Sequence, residues 1–223
     1  MPWAAMCDTL SAGTTITCRT LVYKPSLVNR LIYSLAKTTL RVFGWRVEGT
    51  VPAIPKFVAI GAPHTSYWDL PLFLTAAAVM SDGFANISLA WIGKSTVFRG
   101  PLDAFFRGLG GIPVNRTAGH HVIKAVIRAF NAHERLALVL APEGTTKKVD
   151  FWKPGFYFIA RLAHVPIVCG FLDYKRKVAG IGPTITPSGD MEADMLIMRD
   201  FYQHVTPKYP ERAAQVRLER SSS

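Results

Sequence analysis

Short apolar runs alternate with helical patterns from Gly44 onward, and this alternation limits the possible folds more than any other feature of the chain. Apolar runs bounded by Gly, Pro or polar residues predict buried strands, whereas apolar residues repeating every three or four positions predict helices. The alternation predicts α/β architecture with a largely buried sheet. Strands are predicted at residues 45–47, 57–61, 87–92, 112–114, 136–140 and 166–171, and helices at 70–80, 120–131 and 155–163.

The length of the chain, 223 residues, suits one domain with a substantial core. With 49% hydrophobic and 18% charged residues, the composition excludes wholesale disorder. The sequence divides into a weakly ordered extension at residues 1–22, an amphipathic helix within 23–43, the main domain at 44–205 and a basic C-terminal tail at 206–223.

The segment 26–43 has the pattern of a basic amphipathic helix. One face carries Leu27, Leu31, Leu35 and Val42, flanked by Val28, Ile32 and Phe43. Arg30, Lys37 and Arg41 cluster on the opposite side. Such a helix can lie in a membrane interface, or it can pack on the domain as a surface helix. The sequence leaves both interpretations open.

The formal net charge of +11 favours an anionic partner: nucleic acid, anionic lipid headgroups or a phosphorylated substrate. The three cysteines, Cys7, Cys18 and Cys169, form neither a C-x-x-C pair nor a disulfide framework, which indicates a reducing compartment. The N-terminus lacks the pattern of a signal peptide, and no apolar stretch reaches the ~18 residues of a membrane span.

His64 and Asp69 stand five positions apart between a predicted strand and a predicted helix. On a continuous helix their side chains would lie ~140° apart, so they can meet only if the chain turns between them. Ser66 fits an N-cap with Asp69 as the acidic residue of a capping box. One nitrogen of His64 would then meet Asp69 while the other faces a cleft, as in a general base. Alternatively, Asp69 is only a capping carboxylate and His64 is unrelated to it.

Two further polar sequences follow predicted strands. Arg116 comes after the strand at 112–114 and precedes a helix, a position where its guanidinium suits phosphate, although a surface salt bridge also explains it. Pro142-Glu143-Gly144-Thr145 forms a predicted tight turn after the strand at 136–140. Because ligands gather at the carboxyl ends of strands in such folds, the shared placement of these sequences and His64 predicts one site.

Together these segments resemble the glycerolphosphate acyltransferase family, which includes 1-acyl-glycerol-3-phosphate acyltransferases. The likeness extends over about residues 44 to 205 and rests on four blocks in family order: the H-x-x-x-x-D block His64-Thr65-Ser66-Tyr67-Trp68-Asp69, then Gly111-Ile112-Pro113-Val114-Asn115-Arg116, then Pro142-Glu143-Gly144-Thr145, and finally Val165-Pro166-Ile167-Val168.

The resemblance implies a mixed, mostly parallel sheet flanked by helices, with peripheral or monotopic attachment to the cytoplasmic face of a membrane. It makes His64 the base that takes the acceptor hydroxyl proton and Asp69 the residue that orients it. It makes Arg116 the contact to the acceptor phosphate, assisted by Lys94, and places Glu143, Gly144 and Thr145 in the acceptor site.

The implied reaction moves a fatty acyl group from acyl-CoA or acyl carrier protein to a lysophospholipid, first of all 1-acyl-sn-glycerol-3-phosphate, and gives phosphatidic acid. No cofactor and no metal are expected. The expected partners are the lipid acceptor, the acyl donor and an anionic membrane surface, and nucleic acid is not among them. The third block departs from the family at Ala141 and Thr146, which keeps a different lysolipid acceptor open. A non-catalytic basic module that binds membranes or nucleic acid is the remaining alternative.

Overall fold

The computed structural model describes residues 26–85, 87–98, 100, 102–108, 110–114 and 119–218. The helices are α1 (Leu27–Val42), α2 (Asp69–Met80), α3 (Leu102–Gly108), α4 (Gly119–Ala132), α5 (Gly155–Leu162) and α6 (Met191–Tyr202). The strands are β1 (Arg46–Glu48), β2 (Lys56–Ala62), β3 (Leu89–Lys94), β4 (Gly111–Val114), β5 (Leu136–Leu140), β6 (Phe151–Trp152), β7 (Ile167–Asp173), β8 (Val178–Ile185) and β9 (Gln215–Leu218). The extension predicted for residues 1–22 lies outside the described residues.

Seven strands form the main sheet, in the order β1-β8-β7-β2-β5-β3-β4. Neighbouring strands are parallel, except that β7 and β8 run antiparallel. The sheet is therefore mixed and mostly parallel, as predicted. Because β7, β2 and β5 are parallel neighbours in its centre, their carboxyl ends lie at the same edge. A separate pair, β6 and β9, forms a small parallel sheet.

The alternation of side chains along β2 divides the interior into two layers. Val58 and Ile60 belong to the largest core cluster, which α4, α5 and α6 cover. Phe57 and Ala59 lie on the opposite face, beneath α2. All seven residues of β7 are buried, as expected for a central strand with helices on both faces. Helices therefore flank the sheet on both sides.

β8 is a strand that the sequence analysis did not predict, because Gly180, Gly182 and Pro183 give it the composition of a turn. Tertiary contacts account for both glycines. A Cβ atom at Gly180 would lie 2.4 Å from the carbonyl oxygen of Glu48 in β1, and one at Gly182 would lie 2.2 Å from the ring of Phe201 in α6. Close packing against β1 and α6 therefore excludes side chains here. α3 and α6 were not predicted either.

The end of the chain differs from the predicted basic tail. Pro210–Arg212 forms a 3-10 turn, and β9 pairs with β6. The backbone N–H of Tyr209 donates a hydrogen bond to Thr65 Oγ1, with 3.2 Å between the two atoms. Residues as far as 218 are thus part of the fold, and one of them contacts the loop that carries His64.

α1 packs on α2, but not through the face that carries most of its apolar residues. Ala36 and Leu40 are buried, and Asn29 Nδ2 donates to the carbonyl oxygen of Gly83, just beyond α2. The predicted apolar face is left exposed: Leu27, Leu31, Leu35 and Val42 are each at least 70% exposed. α1 therefore packs on the domain as a surface helix, and its apolar face is not the face that makes the contact. Among the described residues no helix has the length and apolarity needed to cross a bilayer.

Candidate active site

The loop between β2 and α2 brings His64 and Asp69 together. β2 ends at Ala62, and α2 begins at Asp69 itself, with Trp68 at the N-cap position and without a side-chain cap. The helix begins later than an N-cap at Ser66 predicts, but the contacts of that cap are present: Ser66 Oγ accepts from the N–H of Trp68, and Asp69 accepts from the N–H of Ser66. The chain instead turns through residues 65–68, and the Asp69 carboxylate folds back toward the preceding loop.

The Asp69 carboxylate accepts hydrogen bonds from three successive residues of this loop, His64, Thr65 and Ser66. Oδ2 lies 3.0 Å from Nδ1 of His64 and 2.9 Å from the backbone nitrogens of both Thr65 and Ser66. The residue is 1% exposed, so these donors, not water, stabilise the charge. A buried carboxylate in this position fixes Nδ1 as the protonated ring nitrogen and stabilises an imidazolium. The predicted contact between the two side chains is present in the structure.

The His64 side chain remains 24% exposed. Nε2, the other ring nitrogen, has no hydrogen-bond partner within the part of the chain that the structure describes. A ring held at Nδ1 and accessible at Nε2 can accept a proton from a bound molecule. The arrangement therefore has the geometry that a general base requires.

Glu143 lies behind His64, in the turn that follows β5. It is 2% exposed, and its Oε1 accepts a hydrogen bond of 3.0 Å from the backbone N–H of His64. Oε2 is buried without a partner among the described residues. Burial raises the pKa of Glu143 from 4.5 to about 7, despite the opposing effect of the His64 N–H. The observed contact of Glu143 is thus with the main chain of the loop.

The glycine after Glu143 shapes this turn. Gly144 has a φ of +65°, a conformation that other residues rarely adopt, and its N–H donates to the carbonyl oxygen of Ala141. Thr145 is half-buried, and its Oγ1 accepts a hydrogen bond from the N–H of Lys147. The three residues predicted for the acceptor site therefore lie in one turn at the edge where His64 lies.

The two predicted phosphate contacts cannot be placed in this geometry. Lys94 is the last residue of β3 and pairs with Val114 of β4, but its side chain is outside the described part of the chain. Arg116 lies outside the described residues altogether. In the part of the chain that is described, no group of three or more His, Cys, Asp or Glu side chains has the arrangement of a metal site.

Tyr174 contacts the site and was not predicted. It follows β7, and its hydroxyl donates a 2.6 Å hydrogen bond to Oδ1 of Asp69. Burial, followed by the Asp69 contact, raises the pKa of Tyr174 and keeps it protonated as a donor. A weak signal was available in the sequence: like His64 and Glu143, Tyr174 is a polar residue just after a predicted strand.

An apolar cleft lies beneath α2, between that helix and the sheet. It encloses about 630 Å³, including the space at its open mouth. Phe73, one turn beyond Asp69, lines the cleft near the start of α2, and Met80 and Ser81 line it near the end. The cleft thus runs along the helix that begins at Asp69, and an extended apolar chain suits its lining.

Known proteins share this fold and this sequence pattern. The fold is similar to the crystal structure of the 1-acyl-sn-glycerophosphate (LPA) acyltransferase PlsC from Thermotoga maritima, with a TM-score of 0.53 and 20% sequence identity. The similar region covers 79% of this chain and 75% of that one. A search of curated protein sequences found no match. The family model described as Acyltransferase matches residues 46–170, which is more than half of the chain. The chain therefore belongs to the acyltransferase family of enzymes, as its four sequence blocks indicated.

Proposed function

We propose that this enzyme transfers a fatty acyl group from a thioester donor to the free hydroxyl of a lysophospholipid, with His64 as the general base. The observation that carries the proposal is the His64–Asp69 pair, 3.0 Å apart, with the carboxylate buried and the opposite ring nitrogen accessible. A histidine changes charge near neutral pH, so it can remove a proton and return it within one catalytic cycle.

The chemistry requires no cofactor and no covalent enzyme intermediate. Nε2 of His64 takes the proton of the acceptor hydroxyl as its oxygen attacks the thioester carbonyl carbon. The tetrahedral intermediate collapses, the carbon–sulfur bond breaks, and the imidazolium returns the proton to the departing thiolate. Asp69 stabilises the imidazolium between these steps. General-base catalysis of this kind contributes typically ~10²–10⁴-fold, and positioning supplies more.

The apolar cleft supports a fatty acyl chain as the transferred group. Apart from Ser81, the residues that line it have apolar side chains or are glycines. Each methylene buried there would contribute about 0.8 kcal/mol to binding. The cleft lies under the helix that begins at Asp69, so a chain bound along it would have its carboxyl end near His64.

The proposed acceptor is 1-acyl-sn-glycerol-3-phosphate, and the product is phosphatidic acid. The Thermotoga maritima protein with the similar fold is an LPA acyltransferase, and the net charge of +11 favours a phosphorylated acceptor. Arg116 and Lys94 are the proposed phosphate contacts. Either acyl-CoA or acyl carrier protein can be the donor in this scheme.

We further propose that the enzyme attaches peripherally to anionic membranes, on the cytoplasmic face. The support is the exposed apolar face of α1, with Arg30 and Arg41 on the same helix to contact anionic headgroups. Both the acyl donor's chain and the acceptor partition into bilayers.

The first experiment measures thioester-dependent acylation of lysophosphatidic acid by the wild-type enzyme and by the His64→Ala variant in vesicles. We expect transfer by the wild type and a loss of ~10²–10⁴-fold in the variant. His164→Ala is the matched control, because His164 is an exposed histidine in the turn after α5 and should not affect the rate. Circular dichroism confirms that each variant is folded.

The same assay with lysophosphatidylcholine and monoacylglycerol separates the acceptor classes. A marked preference for lysophosphatidic acid supports the phosphate contacts, whereas equal rates would contradict them and leave the His64 chemistry intact. Full activity in folded His64→Ala would refute His64 as the base. An absence of transfer to every acceptor, with several donors, would refute the proposed function.

A further inference from the structure

The two oxygens of the Asp69 carboxylate have different partners. Oδ2 accepts from His64 Nδ1 and from the two backbone N–H groups of Thr65 and Ser66. The hydrogen bond to Oδ1 comes from the hydroxyl of Tyr174, 105 residues further along the chain. The Oδ2 donors belong to the loop that carries His64. The Oδ1 donor belongs to a different part of the fold, the turn between β7 and β8.

The ring of Tyr174 is itself held in place. Trp45 packs against it edge to face, with 5.1 Å between the ring centroids. The backbone N–H of Tyr174 donates to the carbonyl oxygen of Thr206, with 2.8 Å between the atoms. The ammonium group of Lys208 lies 5.9 Å from the ring centroid. A donor fixed in this way can in turn fix the rotation of the carboxylate that it contacts.

From this geometry we propose that Tyr174 is a positioning residue for acyl transfer: its hydroxyl holds the Asp69 carboxylate in the rotation that directs Oδ2 at His64. The role rests on the proposed function of the His64–Asp69 pair. None of the four sequence blocks contains Tyr174. The β7–β8 turn thereby becomes part of the machinery that orients the base.

Removal of the hydroxyl has two physical consequences. Asp69 is 1% exposed, so water cannot easily replace the lost donor, and the carboxylate becomes freer to rotate away from His64. Rotation of the carboxylate lowers the rate of transfer, because the ring of His64 is then held less firmly in the orientation that proton removal requires. It also changes the surroundings of the His64 ring.

The test compares Tyr174→Phe with the wild type in two measurements. In steady-state kinetics we expect kcat to fall about tenfold, while KM for both substrates changes less than about twofold, because the lost contact acts on the base and not on binding. In NMR spectra of the folded protein at one pH, the ring signals of His64 should differ between the variant and the wild type.

Tyr157→Phe is the matched control. Tyr157 also donates a buried hydrogen bond to an aspartate, from its hydroxyl to Oδ2 of Asp194 over 2.7 Å, but that pair links α5 to α6 and does not contact His64. Both variants should lower the melting temperature. Only Tyr174→Phe should change kcat and the ring signals of His64.

The two measurements fail independently. If the kinetics and the His64 ring signals of Tyr174→Phe match those of Tyr157→Phe, the positioning role is refuted and Tyr174 serves stability alone. If the wild type transfers no acyl group but the His64 ring signals still change only in Tyr174→Phe, the contact is supported and the proposed function is what fails. If Tyr174→Phe does not fold, Tyr174→His is tested instead. Wild-type kinetics and His64 ring signals in this variant, with a crystal structure that lacks the Asp69 contact, would overturn the proposal.

Discussion

An asparagine at position 69 can keep most of the hydrogen bonds of Asp69 while it loses the charge. Its amide oxygen would take the place of Oδ2 and accept from Thr65, Ser66 and His64, and its NH₂ group would donate to the oxygen of Tyr174. The substitution therefore tests the charge of Asp69 while its hydrogen-bond geometry is kept.

The Asp69→Asn variant should fold and lose most of its activity. We expect kcat for acyl transfer to fall by roughly 10²–10⁴-fold, because a neutral amide does not stabilise the imidazolium. Asp194→Asn is the control, since Asp194 is another buried aspartate that accepts from a tyrosine hydroxyl. Activity within about tenfold of wild type in Asp69→Asn would show that the charge of Asp69 is not needed.

Glu143 makes the stability of the protein depend on pH. Burial raises its pKa to about 7 from 4.5. Between these two values the unfolded chain loses the proton while the native protein keeps it, so the free energy of unfolding decreases as pH rises from about 4.5 to about 7. The full penalty, roughly 3 kcal/mol, is present above pH 7 and absent below about pH 4.

The Glu143→Gln variant should lack this penalty. Glutamine does not titrate, and its amide oxygen can still accept from the N–H of His64. Urea unfolding at several pH values from about 5 to about 8 should show the stability of the variant, relative to wild type, increasing with pH by up to roughly 3 kcal/mol. The control is Glu134→Gln at an exposed loop position. A difference from wild type that does not vary with pH would disprove the buried, raised-pKa state of Glu143.

At the scale of the secondary-structure element, α1 shows that amphipathicity and burial are separate properties. The helix contacts α2 through Ala36 and Leu40. The small side chain of Ala36 allows a close approach that a larger side chain at this position would prevent. Its apolar face, with Leu27, Leu31, Leu35 and Val42, is exposed to solvent. An exposed apolar face on a helix that also carries basic residues fits a lipid surface.

Variants at two adjacent residues of α1 test whether its apolar face binds membranes. Leu35→Glu places a charge on the apolar face, where Leu35 is 72% exposed, whereas Ser34→Glu adds the same charge ~100° around the helix. In sedimentation with anionic vesicles we expect binding to fall at least about tenfold in Leu35→Glu and much less in Ser34→Glu. An equal loss of vesicle binding in both variants would show that the added charge alone is responsible. It would contradict insertion of the apolar face into the membrane.

At the scale of the whole molecule, the cleft depends on residues from distant elements. α2 covers one side, and five strands of the main sheet form the floor. Small side chains on α2, Ala76 and Ala77, leave the space open. The size of the cleft is therefore a property of the packed molecule, and one substitution in α2 can reduce it.

The Ala77→Phe variant should restrict the length of the acyl chain. A ring at this position fills space that several methylenes would occupy, at about 0.8 kcal/mol for each methylene excluded. We expect kcat/KM for palmitoyl thioester to fall at least about tenfold relative to that for a decanoyl thioester. Thr75→Phe adds the same ring ~200° around α2, outside the cleft lining, and should leave the ratio unchanged. An unchanged ratio in Ala77→Phe would show that the chain binds elsewhere.

The sequence by itself determined the α/β architecture and the acyltransferase family, and it offered the meeting of His64 with Asp69 as one of two alternatives. These depend on local information: side-chain period distinguishes strand from helix, and a five-residue separation closes through a single turn. Leu136–Leu140 was predicted with the bounds that the structure has, because its apolar run is continuous and ends at a turn on either side.

Only the tertiary structure decided which distant residues surround that pair. Glu143 is 79 residues from His64 in sequence, and Tyr174 is 105 residues from Asp69. They meet because β5, β2 and β7 are parallel neighbours whose carboxyl ends share an edge, and strand order is not encoded in the pattern of any one strand. β8 was also decided by tertiary contacts, because its glycines are required by close packing against β1 and α6. For α1, an apolar face in the sequence shows which side chains avoid water but not which part of the molecule covers them.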